Sequence, residues 1–272
     1  MSAALVRADD PRAAPFRLLR DPRALAAAGL FAVEGRLAIE RLLGAASRFR
    51  ARAILATPAA RLALAPALTE LGPGVDVWTA EEALMQEVVG HALHRGAVAV
   101  AERGEPLEPG AVVAAARSAV RPLLVCENVS DPDNVGALFR NAAAFAAGGV
   151  LLAGGGDPLY RKAVRTSMGA CLEVPFATCA RWPEAIGDVR AAGYRVVALA
   201  PRAERRIGDG APGALTAVLV GSEGSGLSPA ALAAADIVVR IPIAARVDSL
   251  NVASAAAIAL HRLAPPEAPC AF

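Results

Sequence analysis

Short apolar runs, each bounded by turn residues, alternate along most of the chain with stretches whose apolar residues recur at helical spacing. Leu123-Leu124-Val125-Cys126 is such a run, with the length and aliphatic character of a buried strand. Asp131-Pro132 follows closely, pairing a side-chain cap with a residue whose missing N–H costs nothing at a helix start. Val135, Leu138, Phe139 and Ala142 then fall at i, i+3, i+4 and i+7, one buried stripe of an amphipathic helix. Gly136 and Ala137 lie one turn before Arg140 and leave the helix surface beside that arginine nearly bare.

Upstream, the same alternation predicts a helix over 36–43, a strand over 53–55, a helix over 58–71 begun by Thr57-Pro58, and a strand over 75–78. Thr79 with Glu82 reads as a capping box for a helix running to about residue 89, and 98–100 makes a further strand. Downstream, strands are expected at 150–152, 195–199, 217–220 and 237–241, with helices near 160–168, 183–192, 229–235 and 251–263. This alternation predicts an α/β protein. The charged, proline-bearing stretch ERGEPLEP (102–109) marks the start of a linker. The expected division is therefore a small N-terminal α/β domain over 1–105 with an arginine-rich tail, a linker over 106–121, and a C-terminal domain over 122–272. The last would hold a mostly parallel sheet flanked by helical crossovers.

Composition changes this picture little. The apolar fraction of 55% and mean hydropathy of +0.43 owe much to alanine, and no apolar run reaches the length of a membrane span. The N-terminal residues mix acids, prolines and arginines without an apolar core, so no secretory signal and no membrane partner are expected, and a cytoplasmic location is. Cys126, Cys171, Cys179 and Cys270 are scattered and read as reduced and structural. His91 and His94 lack a third ligand, so no metal is assigned. A net charge of +2 does not itself argue for nucleic acid, but its distribution says more. Residues 1–61 carry 11 Arg against 5 acids, whereas 62–110 carry 2 Arg against 8 acids. A basic face near the N-terminus suits a polyanion; a solvated arginine-rich tail is the plainer alternative.

Familiar nucleotide fingerprints fail. Gly208-Asp209-Gly210-Ala211-Pro212-Gly213 satisfies G-x-G-x-x-G but precedes a predicted strand instead of joining a strand to a helix. Lys162 has no glycine-rich loop before it, and no G-x-S-x-G elbow exists. An NAD-dependent oxidoreductase is correspondingly disfavoured. Three other stretches remain, each at the carboxyl end of a predicted strand, where α/β proteins bind ligands. The first is the helix start holding Asn134 and Arg140, whose outward amides and guanidinium suit an anion. The second is Gly221-Ser222-Glu223-Gly224-Ser225-Gly226-Leu227, where glycines permit close backbone approach and Glu223 offers a carboxylate. The third runs from Ile241 through Ile243 and Leu250 to Asn251, with Ser249 and Asn251 at a helix start, where simple capping is the alternative reading.

Together these stretches resemble the three motifs of the SpoU family, the 2′-O-ribose RNA methyltransferases of the trefoil-knot (SPOUT) class. DPDNVGALFRNA matches the first motif, GSEGSGL the second and IPI…SLNV the third, while DPLYRKAVRTSMGA also resembles the family and the N-terminal FAVEGRLAIERLL resembles its small RNA-binding domain, which implies an RNA-binding role for residues 1–105. In the third motif Ile243 stands where methionine is usual and Ala245 where glycine is. The resemblance implies S-adenosyl-L-methionine held in a knotted loop, a homodimer, and methyl transfer to a ribose 2′-hydroxyl of rRNA or tRNA, with no action on DNA, which lacks that hydroxyl. It implies that Arg140 activates the hydroxyl or stabilises the developing alkoxide, and that Asn134 holds Arg140 or the RNA phosphate. Ser249 and Asn251 would orient the reacting groups. Ile241, Ile243 and Leu250 would wrap adenine and ribose, and Gly221, Ser222 and Glu223 would complete the cofactor pocket. A non-catalytic RNA-binding dimer that keeps this fold is the alternative.

Overall fold

The computed structural model describes residues 4–69, 71, 74–93, 96–209 and 215–263. In it the chain divides into two compact units, Met1–Glu105 with Pro158–Glu173, and Pro106–Asp157 with Val174–Phe272.

The first unit opens with short helices α1 (Ala14–Arg17) and α2 (Pro22–Ala27), the latter capped by Asp21, whose side chain accepts from Arg23 N and Ala24 N. There follow β1 (Leu30–Glu34), α3 (Arg36–Leu43), β2 (Arg50–Ala56), α4 (Pro58–Leu68), β3 (Asp76–Thr79), α5 (Glu82–Val89) and β4 (Ala97–Glu102). The sheet order is β1-β4-β2-β3, with β4 antiparallel to β1 and β2, and β2 parallel to β3. Phe16, Leu25, Met85 and Val88 pack with alternate residues of the strands into one core. Residues 30–34, which the sequence pattern did not mark as an element, form a strand whose every residue is buried. The capping box at Thr79 does not form. Thr79 is the last residue of β3, paired with Ala56, and Glu81 stands at the N-cap without a side-chain hydrogen bond. Ladder pairing wins over a cap where both claim the same residue.

The second unit runs α6 (Pro109–Ser118), β5 (Leu123–Glu127), α7 (Pro132–Ala144), β6 (Gly149–Ala153) and, after an excursion, β7 (Phe176–Thr178), α9 (Glu184–Ala191), β8 (Arg195–Leu199), β9 (Arg205–Arg206), β10 (Thr216–Gly221), α10 (Pro229–Ala234), β11 (Ile237–Arg240) and α11 (Val252–Leu263). The excursion carries α8 (Arg161–Thr166), which belongs to the first unit, although the sequence division assigned it to the second. Arg161 Nη1 donates to Glu34 at 3.3 Å, Arg48 N donates to Leu172 O at 3.0 Å, and Gly169 lies so close to Ala38 that a Cβ there would meet its Cα at 3.2 Å. These contacts are with residues more than a hundred positions away, which no local pattern announces.

Among the described residues the second sheet is ordered β7-β6-β5-β10-β8-β11-β9, and every pairing is parallel. One face packs Leu123, Val125, Leu151, Ala217 and Leu219 against α6, α9 and α10. The alternate residues Leu124, Cys126, Val150, Leu152, Val218 and Val220 are equally buried on the face that α7 and α11 cover. The expected mostly parallel α/β sheet is thus present. The predicted linker over 106–121 is not: it contains α6, whose Val112 and Ala116 are 1% exposed in the core. Its charged edge, ERGEPLEP, concealed a helix whose stripe is alanine and valine. Val112→Asp therefore destabilises the protein by about 3–5 kcal/mol in urea unfolding, where a linker residue shifts stability by about 0.5 kcal/mol or less.

Candidate active site

Strand order explains where the functional stretches gather. From β5 the chain builds outward through β6 to β7, then returns to the other side of β5 for β8, β10 and β11. The order in which strands are added therefore reverses at the β5–β10 boundary, and the carboxyl ends of those strands border a crevice. Gly221 and Glu127 face each other in register there.

The loop after β10 is tight. Gly226 N donates to Ser222 O at 3.0 Å, Gly226 holds φ of 68°, and a Cβ on Gly221 would lie 2.3 Å from Gly226 C and 2.4 Å from Leu227 N. Only glycine allows that approach. The Ser222 and Ser225 hydroxyls lie 2.8 Å apart across the loop. Its far end is pinned by Glu127, 2% exposed, whose carboxylate accepts from Ser228 N at 2.8 Å and from Trp182 Nε1 at 2.6 Å. Sequence reading passed over Glu127, although an acid ending an otherwise apolar strand is the one available signal.

Asn134 sits in the first turn of α7, which Asp131 caps by accepting from Asp133 N at 2.7 Å. It is 8% exposed. Its amide donates to Glu223 Oε1, and its carbonyl oxygen accepts from Asn251 Nδ2 at 2.8 Å, while Asn251 Nδ2 also lies 3.1 Å from Glu223 Oε1. All three motifs thus meet in one hydrogen-bonded triad. Asn251 Oδ1 accepts from Ala253 N at 3.0 Å and Ser254 N at 3.2 Å, so this residue is both a helix cap and a member of the triad. Asn141 Nδ2 donates to Ala253 O at 2.7 Å and ties α7 to the same turn of α11.

Arg140 is placed apart. It is exposed and makes no hydrogen bond or ion pair with any described residue. Six residues beyond Asn134 on a straight helix means a rise of about 9 Å and a different face. Of the two roles expected for Asn134, holding Arg140 or the RNA phosphate, the first has no contact behind it: the Asn134 amide is engaged by Glu223 and Asn251.

Beside the triad opens a cleft of about 520 Å³. Gly221, Ser222, Glu223, Ile241, Ile243, Ser249 and Leu250 all line it, joined by residues 199–202 from the end of β8. Ser249, read from sequence as a possible cap, faces this cleft while Asn251 does the capping. Ile243, in place of methionine, forms part of the wall; Ala245 does not, and its φ is not in the left-handed region, so alanine there meets no backbone penalty. Other clefts of similar size, about 490 Å³ between α6 and α9 and about 550 Å³ on α4, carry none of the motif residues. Burial pushes the Cys126 thiol up to about 12, which leaves it inert beside the site. His91, one of the two histidines weighed as metal ligands, hydrogen-bonds the buried Glu34 carboxylate at 2.8 Å in the first unit; His94 and Cys270 lie outside the described residues, as does part of the 208–213 glycine stretch.

Residues 121–261 match the sequence profile of the SpoU rRNA Methylase family. Over 262 residues the chain is 39% identical to an uncharacterized tRNA/rRNA methyltransferase of Mycobacterium tuberculosis, covering 93% of this chain and 88% of that one. A solved RNA 2′-O ribose methyltransferase aligns with a TM-score of 0.76 at 26% identity, over 96% of this chain and 97% of its own. The SpoU methyltransferase AviRb of Streptomyces viridochromogenes, solved in complex with AdoMet, aligns with a TM-score of 0.75 at 25% identity, over 94% and 98%.

The close approach at Gly221 yields a direct test. Gly221→Ala forces the loop apart and lowers stability by about 1–3 kcal/mol in thermal or urea unfolding; an unchanged melting temperature would show the loop to be roomier than its geometry states.

Proposed function

Because this chain belongs to the SpoU rRNA methylase family, we propose that it transfers a methyl group from S-adenosylmethionine to a ribose 2′-hydroxyl of rRNA or tRNA. The observation that carries this reading is the continuity of one cleft with the Asn134–Glu223–Asn251 triad at the carboxyl ends of β8, β10 and β11. The solved relatives' descriptions as a 2′-O ribose methyltransferase and as an AdoMet complex support it.

The residues fit the cofactor. A cleft of about 520 Å³ lies within the range that encloses a ligand of that size, about 300–1,000 Å³. Ile241, Ile243 and Leu250 offer apolar surface for adenine and ribose, and the bare backbone at Gly221 and Gly226 lets main-chain groups reach the ligand. When bound, S-adenosylmethionine supplies a methyl on a positively charged sulfur. The protein's task is then orientation and charge. Ser249, at the cleft wall, and Asn251, locked by its cap, position the acceptor ribose. Asn134 holds the Glu223 carboxylate in place and so keeps the floor of the cleft rigid.

Arg140 offers a cation to RNA on the first motif's helix. Its guanidinium has no intramolecular partner among the described residues, so a phosphate or a developing alkoxide on the ribose meets it without breaking an existing pair. Stabilising the alkoxide suits an arginine better than removing the proton, since a guanidinium stays protonated in proteins. The homodimer, the threaded C-terminal segment and the RNA-binding role of residues 1–105 go with this reading as parts of the family resemblance, and the cytoplasmic location expected from sequence is compatible with it. No helix among the described residues is long and apolar enough to cross a membrane.

Incubation with labelled S-adenosylmethionine and total bacterial RNA, followed by mapping of alkali-resistant linkages, tests the reading. Incorporation at a discrete 2′-hydroxyl is expected; incorporation on a base alone, or none, would overturn it. Arg140→Ala is expected to lower turnover by about 100-fold or more while cofactor affinity, read by calorimetry, stays within about twofold. Retained turnover would remove Arg140 from its role.

A further inference from the structure

The charges on the cleft wall are few. Among the lining residues they are Arg202, Glu223 and Asp248. Glu223 is engaged by the amides of Asn134 and Asn251. Arg202 and Asp248 are exposed and make no hydrogen bond or ion pair with any described residue, so one cation and one anion stand free at the rim. Their positions are set by separate elements. Arg202 follows β8 in a turn closed by Ala203 N donating to Ala200 O at 3.2 Å, and Asp248 immediately precedes Ser249 in the segment between β11 and α11. With the apolar wall at Ile241, Ile243 and Leu250, the cleft has one surface for a flat ring and one pair of opposite charges.

That arrangement matches a ligand with an adenosine at one end and an amino acid at the other. Resting on the methyltransferase reading, we propose that Arg202 and Asp248 hold the amino-acid end of S-adenosylmethionine, Arg202 receiving the α-carboxylate and Asp248 the α-ammonium. A guanidinium pairs a carboxylate through two parallel N–H bonds, and a carboxylate accepts from an ammonium, so each partner has the correct polarity. The sum agrees as well. Two carboxylates against one guanidinium give the wall one net negative charge, and the cofactor, with its ammonium, sulfonium and carboxylate, carries one net positive charge. Complementary potentials of this kind favour the charged cofactor over a neutral nucleoside.

The test uses two ligands that share the adenosine and differ in the amino-acid end. S-adenosylhomocysteine carries the carboxylate and ammonium; 5′-methylthioadenosine lacks both. Calorimetric titration of the full chain and of the Arg202→Ala and Asp248→Asn variants measures each affinity. Each substitution is expected to weaken S-adenosylhomocysteine by about 10-fold, the worth of one charge-assisted contact at a partly exposed rim, with 5′-methylthioadenosine changed by less than about twofold. Equal losses for both ligands, or none for either, would overturn the assignment and leave the methyltransferase reading standing. Wild-type protein that binds neither ligand would overturn that reading, and this assignment with it.

Discussion

The parallel pairing of β5 with β10 is the constraint from which the cleft follows. It places Glu127 opposite Gly221 at the last register of both strands. Two consequences meet at that point. The loop after β10 must turn back at once, so close to its own backbone that no Cβ fits on Gly221. The loop's far end must be held, and the buried Glu127 carboxylate does so through Ser228 N, the first residue of the α10 cap. A carboxylate at 2% exposure persists only because both oxygens have donors, Ser228 N and Trp182 Nε1. Removing the pairing would leave a buried charge without partners and a loop without an anchor.

The second layer of order is the triad above that junction. Three residues from three distant segments share hydrogen bonds, and Asn134 is nearly buried within them. Networks of this kind contribute less to stability than to uniqueness, since each member limits the rotamers of the others. Here they fix the cleft wall carrying Glu223 and the start of α11 with respect to α7. Arg140, on another face of α7, takes no part, which leaves its charge unspent. The site thus combines a rigid cofactor-sized cleft with an unpaired cation.

Much of this was legible along the chain because it rests on local chemistry. Asp131 caps the helix it was expected to cap, Thr57 does the same for α4, and the strand at 195–199 has the bounds its apolar run predicts. The residues Gly221, Ser222, Glu223, Ile241, Ile243 and Leu250, pointed to by strand-end position and by the family resemblance, are collected by the fold on one cleft. Local reading failed where two local rules competed or where the partner was remote. Thr79 satisfied a capping pattern but was claimed by a ladder with Ala56. Residues 109–118 looked like a linker because prolines and acids mask a stripe that only the sheet makes sense of.

Sequence alone determined the α/β class, most of the strands and helices and the three motif stretches that carry the family resemblance, because periodicity, caps and motif spacing are properties of contiguous residues; it missed β1 and read α6 as linker. Tertiary structure decided what lies beside what. It assigned residues 158–173 to the first unit through Arg161–Glu34 and Arg48–Leu172, joined Asn134 to Glu223 and Asn251, and set Arg140 and Asn134 on different faces. The physical reason is the same in each case. A hydrogen bond across a hundred residues depends on which distant elements the fold brings together, as β5 pairing with β10 does within the second unit and residues 158–173 joining 1–105 does within the first. No window along the chain contains both partners.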